Sequence, residues 1–299
     1  MSQIILEDYY FKTGRPFIDV RAYGAVGDNI TNDSPAIQAA LNASLGIGYP
    51  VYLPQGIYSI PDGLVLPAGV KFFGAGQSGS ILNTNADVTA ITFDINSGTG
   101  SSELSSMTIN GLQNTSATQD TVRMPFAYGV HTGHILRDLH ITGGFRCMYT
   151  FGVDCVFENV YAGNCFGPNV WASQGSNWYI RCKFDSEQAI TYDLAMAGYP
   201  YPPGSQSPTE NFFAQCDFTG PFTENLNYND VGGKLTMSQC NGLNVVNIVN
   251  CQWVSFSQCM FGVNIANSSA GVISITNSMA ISPIIIAGNK LVNSCLNIS

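Results

Sequence analysis

The sequence contains few charged side chains: Asp, Glu, Lys and Arg make up 10% of its 299 residues, whereas about 25% is usual in globular proteins. Lys and Arg number 11 against 20 Asp and Glu, which gives a net charge of −9. Binding to nucleic acid or to an anionic membrane surface requires clustered basic residues. The composition therefore argues against both of these ligands.

Long apolar runs are also lacking. No stretch has the length that spans a bilayer, and the start of the chain, MSQIILEDYYF, lacks the basic and apolar segments of a signal peptide. The nine cysteines include no CxxC pair, the spacing typical of zinc and redox sites, and their odd number argues against a complete disulfide framework. We therefore expect no membrane insertion, no metal, no cofactor and synthesis in the cytoplasm.

Helical periodicity is convincing at one place, near the N-terminus. Ser34 is a good N-cap and Pro35 suits the first helical position. The apolar stripe of the predicted helix consists of Ile37, Leu41 and Leu45. Gly46 and Gly48 are expected to end the helix. Because short β-like runs follow, we expect this helix to cover the open edge of a stack of strands.

The segments FIDVRAYGAVGD, NDSPAIQAAL, VYLPQGIYSI, LVLPAGVKFFGAG and SIL follow one another between residues 17 and 82. Together they resemble the opening of the pectate-lyase-like right-handed parallel β-helix proteins, a family that includes many bacteriophage tailspikes. The resemblance implies an all-β, single-stranded right-handed parallel β-helix with an N-terminal capping α-helix. It does not identify the reaction, because lyases, glycosidases, epimerases and non-catalytic adhesins share this opening. Asn32 replaces an acidic residue of the usual pattern beside Asp33.

A repeat begins near residue 104, with a small or polar marker inside an apolar frame. The marker positions are Ser106, Asp138, Asn159, Cys182, Cys216, Cys240 and Cys259, with Ser278 and Cys295 as less regular continuations. The basic step of about 20 residues fits one coil of a solenoid, and two longer steps carry insertions within 111–128 and 195–210. We predict an arm in 1–16 and a β-helix in 17–299, with the cap and first coils in 17–82.

The cysteines of the repeat share one position, so we expect their side chains to stack inside the solenoid about 4.8 Å apart. A free cysteine behaves as a small apolar residue in a protein core. The predicted role of this ladder is therefore structural, not metal binding or redox chemistry.

Acidic and aromatic residues concentrate between 154 and 230. A groove of aromatic rings and hydrogen-bond acceptors suits sugars, which present flat C–H faces and hydroxyl rims. The predicted substrate-binding residues are Trp171, Trp178, Tyr179, Tyr192, Tyr199 and Tyr201. This region predicts a polysaccharide-binding groove.

Hydrolysis of a glycosidic bond uses two carboxyl groups about 5–9.5 Å apart. Carboxylates on adjacent coils can reach this separation, because neighbouring strands lie about 4.8 Å apart. The candidate acid and base residues are Asp185, Glu187, Asp193 and Glu210. Asp217 is set aside, because it follows Lys183 by one coil and is expected to pair with it on the surface.

A competing cluster lies between Arg123 and Arg146 and contains His131, His134 and His140 beside Arg137. A polysaccharide lyase needs a cation that neutralises the uronate carboxylate and a base that removes a proton, so this cluster is an alternative active site. The acidic region beside it would repel a polyanionic substrate.

The resemblance to tailspikes implies a virion tail protein that acts at the bacterial cell surface as a homotrimer and contacts other tail proteins through its N-terminal arm. Combined with the acidic-aromatic region, it predicts binding of a bacterial surface polysaccharide and its cleavage by an endoglycosidase mechanism. A non-catalytic receptor-binding or structural virion protein is the first alternative, and a polysaccharide lyase is the second.

Overall fold

The chain winds into a parallel β-helix in the computed structural model. The structure describes residues 16–94, 100–112, 119–125, 133–172, 176–185, 194–197, 210–219, 226–229, 234–241, 243–249, 253–266, 272–276, 279–280, 285–287 and 296–298. The described strands form two sheets, and their pairings are parallel. The predicted arm therefore lies outside the described residues except for Pro16, and the proposed division at residue 16 stays a prediction.

Strands are numbered in chain order. The first sheet contains β1 (Ile18–Asp19), β2 (Asp28–Asn32), β3 (Val51–Leu53), β4 (Gly56–Ser59), β6 (Lys71–Gly74), β7 (Ser80–Asn83), β9 (Glu103–Asn110), β11 (Ile135–Thr142), β13 (Val156–Gly163), β15 (Asn177–Ile180), β16 (Lys183–Asp185), β18 (Glu210–Ala214), β19 (Asp217–Thr219), β21 (Lys234–Ser238), β23 (Trp253–Ser257), β25 (Val272–Thr276) and β28 (Leu296–Ile298). The second sheet contains β5 (Leu64–Leu66), β8 (Ile91–Phe93), β10 (Asp120–Met124), β12 (Arg146–Thr150), β14 (Val170–Ala172), β17 (Leu194–Ala197), β20 (Leu226–Asn229), β22 (Leu243–Val249), β24 (Met260–Ala266), β26 (Met279–Ala280) and β27 (Ile285–Ala287).

A single left-handed residue bends the first sheet in each of its middle coils. These residues have φ between 52° and 58° and are Ser106, Asp138, Asn159, Arg181, Gln215, Gln239 and Gln258. Left-handed backbone is unfavourable for a residue with a Cβ, and side-chain hydrogen bonds between coils accompany it. Asn159 Nδ2 donates to Asp138 Oδ1 at 2.7 Å, and Gln215 Nε2 donates to Gln239 Oε1 at 3.0 Å.

The bend also interrupts the alternation of inward and outward side chains. Tyr179 and Cys182 lie on either side of it, three residues apart, and both are buried. Lys183 and Asp185 then occupy the outer face, with Phe184 buried between them. A strand without the bend would place every second residue on the same face.

The predicted repeat is confirmed as the coil of the solenoid, but its marker is wrong by one residue in the first three coils. Tyr161 pairs with Lys183, so Cys182 lies beside Val160 and not beside Asn159. The left-handed residue in the later coils is the residue before each cysteine. The predicted repeat places the left-handed residues of the first three coils at the same position as the buried cysteines of the later coils, because both positions hold small or polar side chains. Ser278 and Cys295 lie outside the described residues.

The interior consists of side chains stacked from coil to coil. The rings of Phe157 and Tyr179 lie 4.7 Å apart at 8°, and those of Tyr179 and Phe213 lie 4.6 Å apart at 5°. Full burial of a side chain of this size contributes about 1.5–3 kcal/mol. The predicted thiol ladder is confirmed, since the four cysteines are free and buried: Cys182, Cys216, Cys240 and Cys259.

The predicted lid over the first coils is confirmed as helix α1 (Ser34–Ile47), with two corrections. The N-cap is Asp33 and not Ser34, and its carboxylate accepts hydrogen bonds from the backbone N–H groups of Val26 and Gly27 at 2.7 and 3.1 Å. The apolar stripe does not include Leu45, which is 50% exposed. At 3.6 residues per turn, eight residues carry it about 80° past the buried face. No helix among the described residues has the length and apolarity needed to cross a bilayer.

Candidate functional site

Four side chains form a cluster on the outer face of the first sheet, near the ends of three consecutive coils. This His140 cluster consists of His140 on β11, Tyr161 on β13, and Lys183 and Asp185 on β16. His140, Tyr161 and Lys183 share one register position. The rings of His140 and Tyr161 are stacked, with centroids 4.3 Å apart and planes 7° apart.

Polar contacts join the members of the His140 cluster. The Tyr161 hydroxyl donates to Asp185 Oδ2 at 3.3 Å, and Lys183 Nζ lies 3.4 Å from the same oxygen. The Lys183 ammonium also lies 5.8 Å from the centroid of the Tyr161 ring. Partial burial lowers the pKa of His140, which favours its neutral imidazole. The cluster therefore offers the partly exposed edges of two stacked rings beside a cation and a carboxylate.

Asp217, which was set aside because of its expected surface pairing with Lys183, lies next to the His140 cluster. It is the register partner of Lys183, as predicted, but the ion pair of Lys183 is with Asp185 on its own strand. Asp185 pairs with Thr219, so Asp217 stands diagonally from Asp185. One strand spacing and two residues of rise put their Cα atoms about 8 Å apart. The burial pattern shows that Asp217 and Asp185 share the outer face.

Glu210 lies far from this cluster. It is the first residue of β18, which the left-handed bend at Gln215 separates from β19. Its side chain forms an ion pair with Lys234. Asp185 is in register with Thr219, which follows Glu210 by roughly 30 Å of extended chain. The structure therefore does not bring Asp185 and Glu210 together as an acid and base pair.

The two described aromatic candidates on β15 point in opposite directions. Trp178 is partly exposed, and its ring stacks on Phe212 with a centroid distance of 5.7 Å. Tyr179 has no exposed surface, and its burial raises the pKa of the hydroxyl. The prediction that Tyr179 contacts a substrate does not fit this position, because its ring is inside the coil.

Trp171 belongs to the second sheet. It lies on β14, is partly exposed, and is the register partner of Tyr149. Trp171 therefore lies on a different face of the solenoid from the candidates on the first sheet. The remaining predicted site residues lie outside the described residues: Glu187, Asp193, Tyr192, Tyr199 and Tyr201.

The histidines proposed for a lyase site do not form a cluster within the described part of the chain. His134 is buried, its Nδ1 accepts a hydrogen bond from the Ser102 N–H at 2.9 Å, and its ring meets the Phe93 ring edge-on. His140 lies at the other end of β11, and His131 lies outside the described residues. Over the same described ranges, no three His, Cys, Asp or Glu side chains are arranged to hold a metal ion.

Comparison with known proteins supports the resemblance seen in the sequence. Residues 17–100 match the family described as rhamnogalacturonase A/epimerase, pectate lyase-like. The non-secreted LysM effector LysM19 of Penicillium expansum is 38% identical over 78 residues, which are 26% of this chain and 6% of that protein. The pre-neck appendage protein of Bacillus phage phi29 is 31% identical over 99 residues, which are 31% of this chain and 11% of that protein. The chain thus spans only a small part of the length of these relatives.

Solved structures share the fold over nearly the whole chain. ORF18 of Geobacillus virus E2 has a TM-score of 0.61 at 14% identity and covers 92% of this chain and 61% of its own. Tailspike protein 2 of the Escherichia coli O157:H7 bacteriophage CAB120 has a TM-score of 0.58 at 11% identity, covering 92% of this chain and 42% of its own. The A-module of the Azotobacter vinelandii mannuronan C-5 epimerase AlgE4 has a TM-score of 0.53 at 15% identity, covering 92% and 99%. The predicted right-handed parallel β-helix is therefore confirmed.

Proposed function

We propose that this pectate-lyase-like, right-handed parallel β-helix protein is a tailspike or tail-fibre-like component of a phage tail that binds a polysaccharide on the bacterial surface. The phage proteins among its relatives and structural neighbours support this class. The observation that carries the binding proposal is the His140 cluster, where two stacked rings lie beside Lys183 and Asp185 on the outer face.

The cluster suits a sugar for two physical reasons. The apolar C–H groups of a pyranose can pack on the exposed part of an aromatic ring, and Tyr161 is partly exposed on the surface of the coil. Lys183 donates hydrogen bonds and Asp185 accepts them, so the pair can bond hydroxyl groups on either side of that ring. Their side chains are 46% and 24% exposed, which leaves both within reach of a ligand.

Binding can be tested on an array of purified capsular and O-antigen polysaccharides. The intact protein is expected to bind at least one of them, and Tyr161→Ala is expected to weaken that binding about tenfold or more, as loss of an aromatic contact in a binding site does. Tyr23→Ala is the matched control, because Tyr23 is an exposed tyrosine in the N-terminal coils. Equal binding by all three proteins would contradict the assignment of the site.

We further propose that the protein cleaves the bound glycan as an endoglycosidase. One carboxylic acid protonates the glycosidic oxygen as the C–O bond breaks, while a second carboxylate activates water or attacks the anomeric carbon. Asp185 is the proposed second carboxylate. The proposed acid is one of the predicted residues Glu187 and Asp193, or Asp217, which stands diagonally from Asp185 on the next coil.

Cleavage can be measured as new reducing ends after incubation with a polysaccharide that the array identifies. Asp185→Asn is expected to lower the rate at least about 100-fold and to affect binding far less, because the amide oxygen of Asn still accepts hydrogen bonds from hydroxyl groups whereas the chemical step loses its carboxylate. The same loss is expected for one of Glu187→Gln, Asp193→Asn and Asp217→Asn. The Glu210→Gln variant is expected to stay active, since Glu210 lies on the other side of the left-handed bend from Asp185. Full activity in the Asp185 variant would refute the mechanism.

A non-catalytic receptor-binding protein is the second candidate, and one observation favours it. Asp185 already bonds to Lys183 and Tyr161, an arrangement that a purely structural surface ion pair would also adopt. Binding without new reducing ends or unsaturated, ultraviolet-absorbing products would select this function. Unsaturated products alone would instead identify a lyase.

The assembly proposal follows from the same tailspike class. We propose a homotrimer in the virion tail that contacts other tail proteins through residues 1–16. Light scattering on the purified protein is expected to give three times the mass of the 32.0 kDa chain. A single-chain mass at micromolar concentration would contradict the trimer.

A further inference from the structure

An apolar surface lies on the outer face of the first sheet, on the N-terminal side of the left-handed bend. Six outward-facing side chains on successive coils form this outer apolar patch: Ile135, Val156, Trp178, Ile180, Phe212 and Ala214. All of them are partly exposed and alternate with buried residues of the same strands. Because neighbouring strands lie about 4.8 Å apart, the patch extends roughly 14 Å along the axis of the solenoid.

The patch has defined limits. At its centre the rings of Trp178 and Phe212 are stacked, with centroids 5.7 Å apart and planes 7° apart. On the next two coils the register position of Phe212 is taken by Thr236 and then by Ser255, so the apolar row ends there. At its other end the row begins at Ile135, whose register partner on the preceding coil is Glu103. A bounded group of apolar side chains on an outer surface is typical of an interaction site.

Ion pairs border the outer apolar patch. They join Lys71 and Arg137 to Glu103, Arg181 to Glu158, and Lys234 to Glu210. Four cations against three carboxylates give this border a charge of +1, whereas the whole chain carries −9. An apolar centre within a polar rim is the arrangement found in protein–protein interfaces.

The charge pattern favours a second copy of this chain as the partner. Two copies of a chain with a net charge of −9 repel each other, and the border of the patch is a place where the local charge is not negative. Both signs are present there, so the cations of one copy can face the carboxylates of another. On the other side of the bend, Asp185 and Asp217 outnumber Lys183 on the outer face, which makes that side less suited to contact between copies.

We propose that the outer apolar patch is the surface through which identical subunits pack on one another. This inference rests on the proposed homotrimer, to which it adds the contact surface. The left-handed bend then divides the outer face of the first sheet into two parts. The apolar part before the bend contacts a neighbouring subunit, and the His140 cluster after the bend stays open to the glycan. Trp178, which the sequence placed among the substrate-binding residues, belongs to the subunit contact.

Light scattering on the intact Val156→Lys variant tests this assignment at micromolar concentration. The mass is expected to fall threefold, to that of one 32.0 kDa chain, because each copy would have to bury an ammonium group against the apolar patch of another. Val65→Lys is the matched control and is expected to keep the assembled mass, since Val65 is an exposed valine on the second sheet. Melting temperatures show whether both variants are folded.

A second pair of variants tests the ring at the centre of the patch. Trp178→Ala is expected to give the single-chain mass, because it removes the largest apolar side chain of the contact. Trp178→Phe is expected to keep the assembled mass, since a phenyl ring still stacks on Phe212 and still covers the patch. Affinity for the polysaccharide found on the array is measured for the same two variants and is expected to stay unchanged.

Three results would overturn the inference. An assembled mass in folded Val156→Lys, or an equal loss of mass in Val65→Lys, would show that the subunits do not associate specifically through the patch. Weaker glycan binding by Trp178→Ala at an unchanged mass would make Trp178 a glycan contact instead. A single-chain mass for the unaltered protein would refute the trimer together with the inference, whereas the glycan-binding proposal would still be decided separately by the array.

Discussion

The inner ring stack of Phe157 and Tyr179 and the outer ring stack of His140 and Tyr161 have nearly the same geometry. Their centroids are 4.7 and 4.3 Å apart, and their planes are 8° and 7° apart. The inner rings have no exposed surface, whereas the outer rings are partly exposed. Parallel pairing in register imposes the stack on either face of the sheet. The comparison teaches that stacking follows from the coil, while exposure determines whether a stack can serve binding.

The largest expected difference between the two stacks is in stability. Tyr179→Ala should lower the free energy of unfolding by about 3–5 kcal/mol, because it leaves a cavity between two rings of the core. Tyr161→Ala should lower it by about 1 kcal/mol, since solvent can fill the space. Urea unfolding followed by fluorescence or circular dichroism measures both values. Similar losses for the two variants would show that the outer stack is as structural as the inner one.

A smaller difference is expected between the buried cysteine ladder and the exposed glutamines beside it. Cys216→Ser should lower the free energy of unfolding by about 1–2 kcal/mol, because a hydroxyl replaces a buried apolar thiol. Gln215→Ser, one residue earlier on the surface, should change it by about 0.5 kcal/mol or less. Chemical denaturation of the two variants provides the measurement. A neutral Cys216→Ser would mean that the carbonyls near its sulfur, those of Tyr179 and Ala214, fully satisfy the hydroxyl.

The smallest expected effect is the pH dependence of the outer stack. Burial lowers the pKa of His140 in the folded protein, so the folded state disfavours the protonated ring. Its contribution to stability is present above its unfolded pKa of about 6.5 and is lost as the pH falls through the folded value. Lys183 and Asp185 are the nearest charged groups of the cluster. His140→Phe keeps a ring on Tyr161 without this titration.

Melting temperatures between pH 7.5 and pH 5 provide the measurement. The unaltered protein should lose more of its melting temperature over this range than His140→Phe does, because only the histidine takes up a proton. The inner variant Tyr179→Phe is a useful control, since it should follow the pH profile of the unaltered protein. Identical profiles for the unaltered protein and His140→Phe would show that the outer stack tolerates a charged ring.

Most of the fold could be predicted from the sequence because its signals are local and repeated. The strand register confirms the two longer coils, because Glu103 pairs with Ile135, 32 residues later, and Trp178 pairs with Phe212, 34 residues later. The N-cap was misplaced by one residue because Ser34 and Asp33 are both good caps. Only the fold shows that the Asp33 carboxylate bonds to the turn at Val26 instead of the helix.

The candidate site was less predictable because the left-handed bend changes which residues share a face. Simple alternation could not show that Tyr179 faces inward while Tyr161 on the preceding coil faces outward. The aromatic prediction therefore included Tyr179 and missed Tyr161. Asp217 was correctly placed beside Lys183, but its diagonal relation to Asp185 requires the register of β16 and β19.

The in-register pairing of the coils has a consequence for how such a protein can change in length. Removal or duplication of one whole turn, for example the turn that begins at Ile135 and ends before Val156, would keep the buried ladders aligned on both sides. Loss of a single residue within a strand would rotate the following side chains to the wrong face. The molecule can therefore lengthen or shorten in steps of one coil, about 4.8 Å each, and its length can evolve without redesign of its interior.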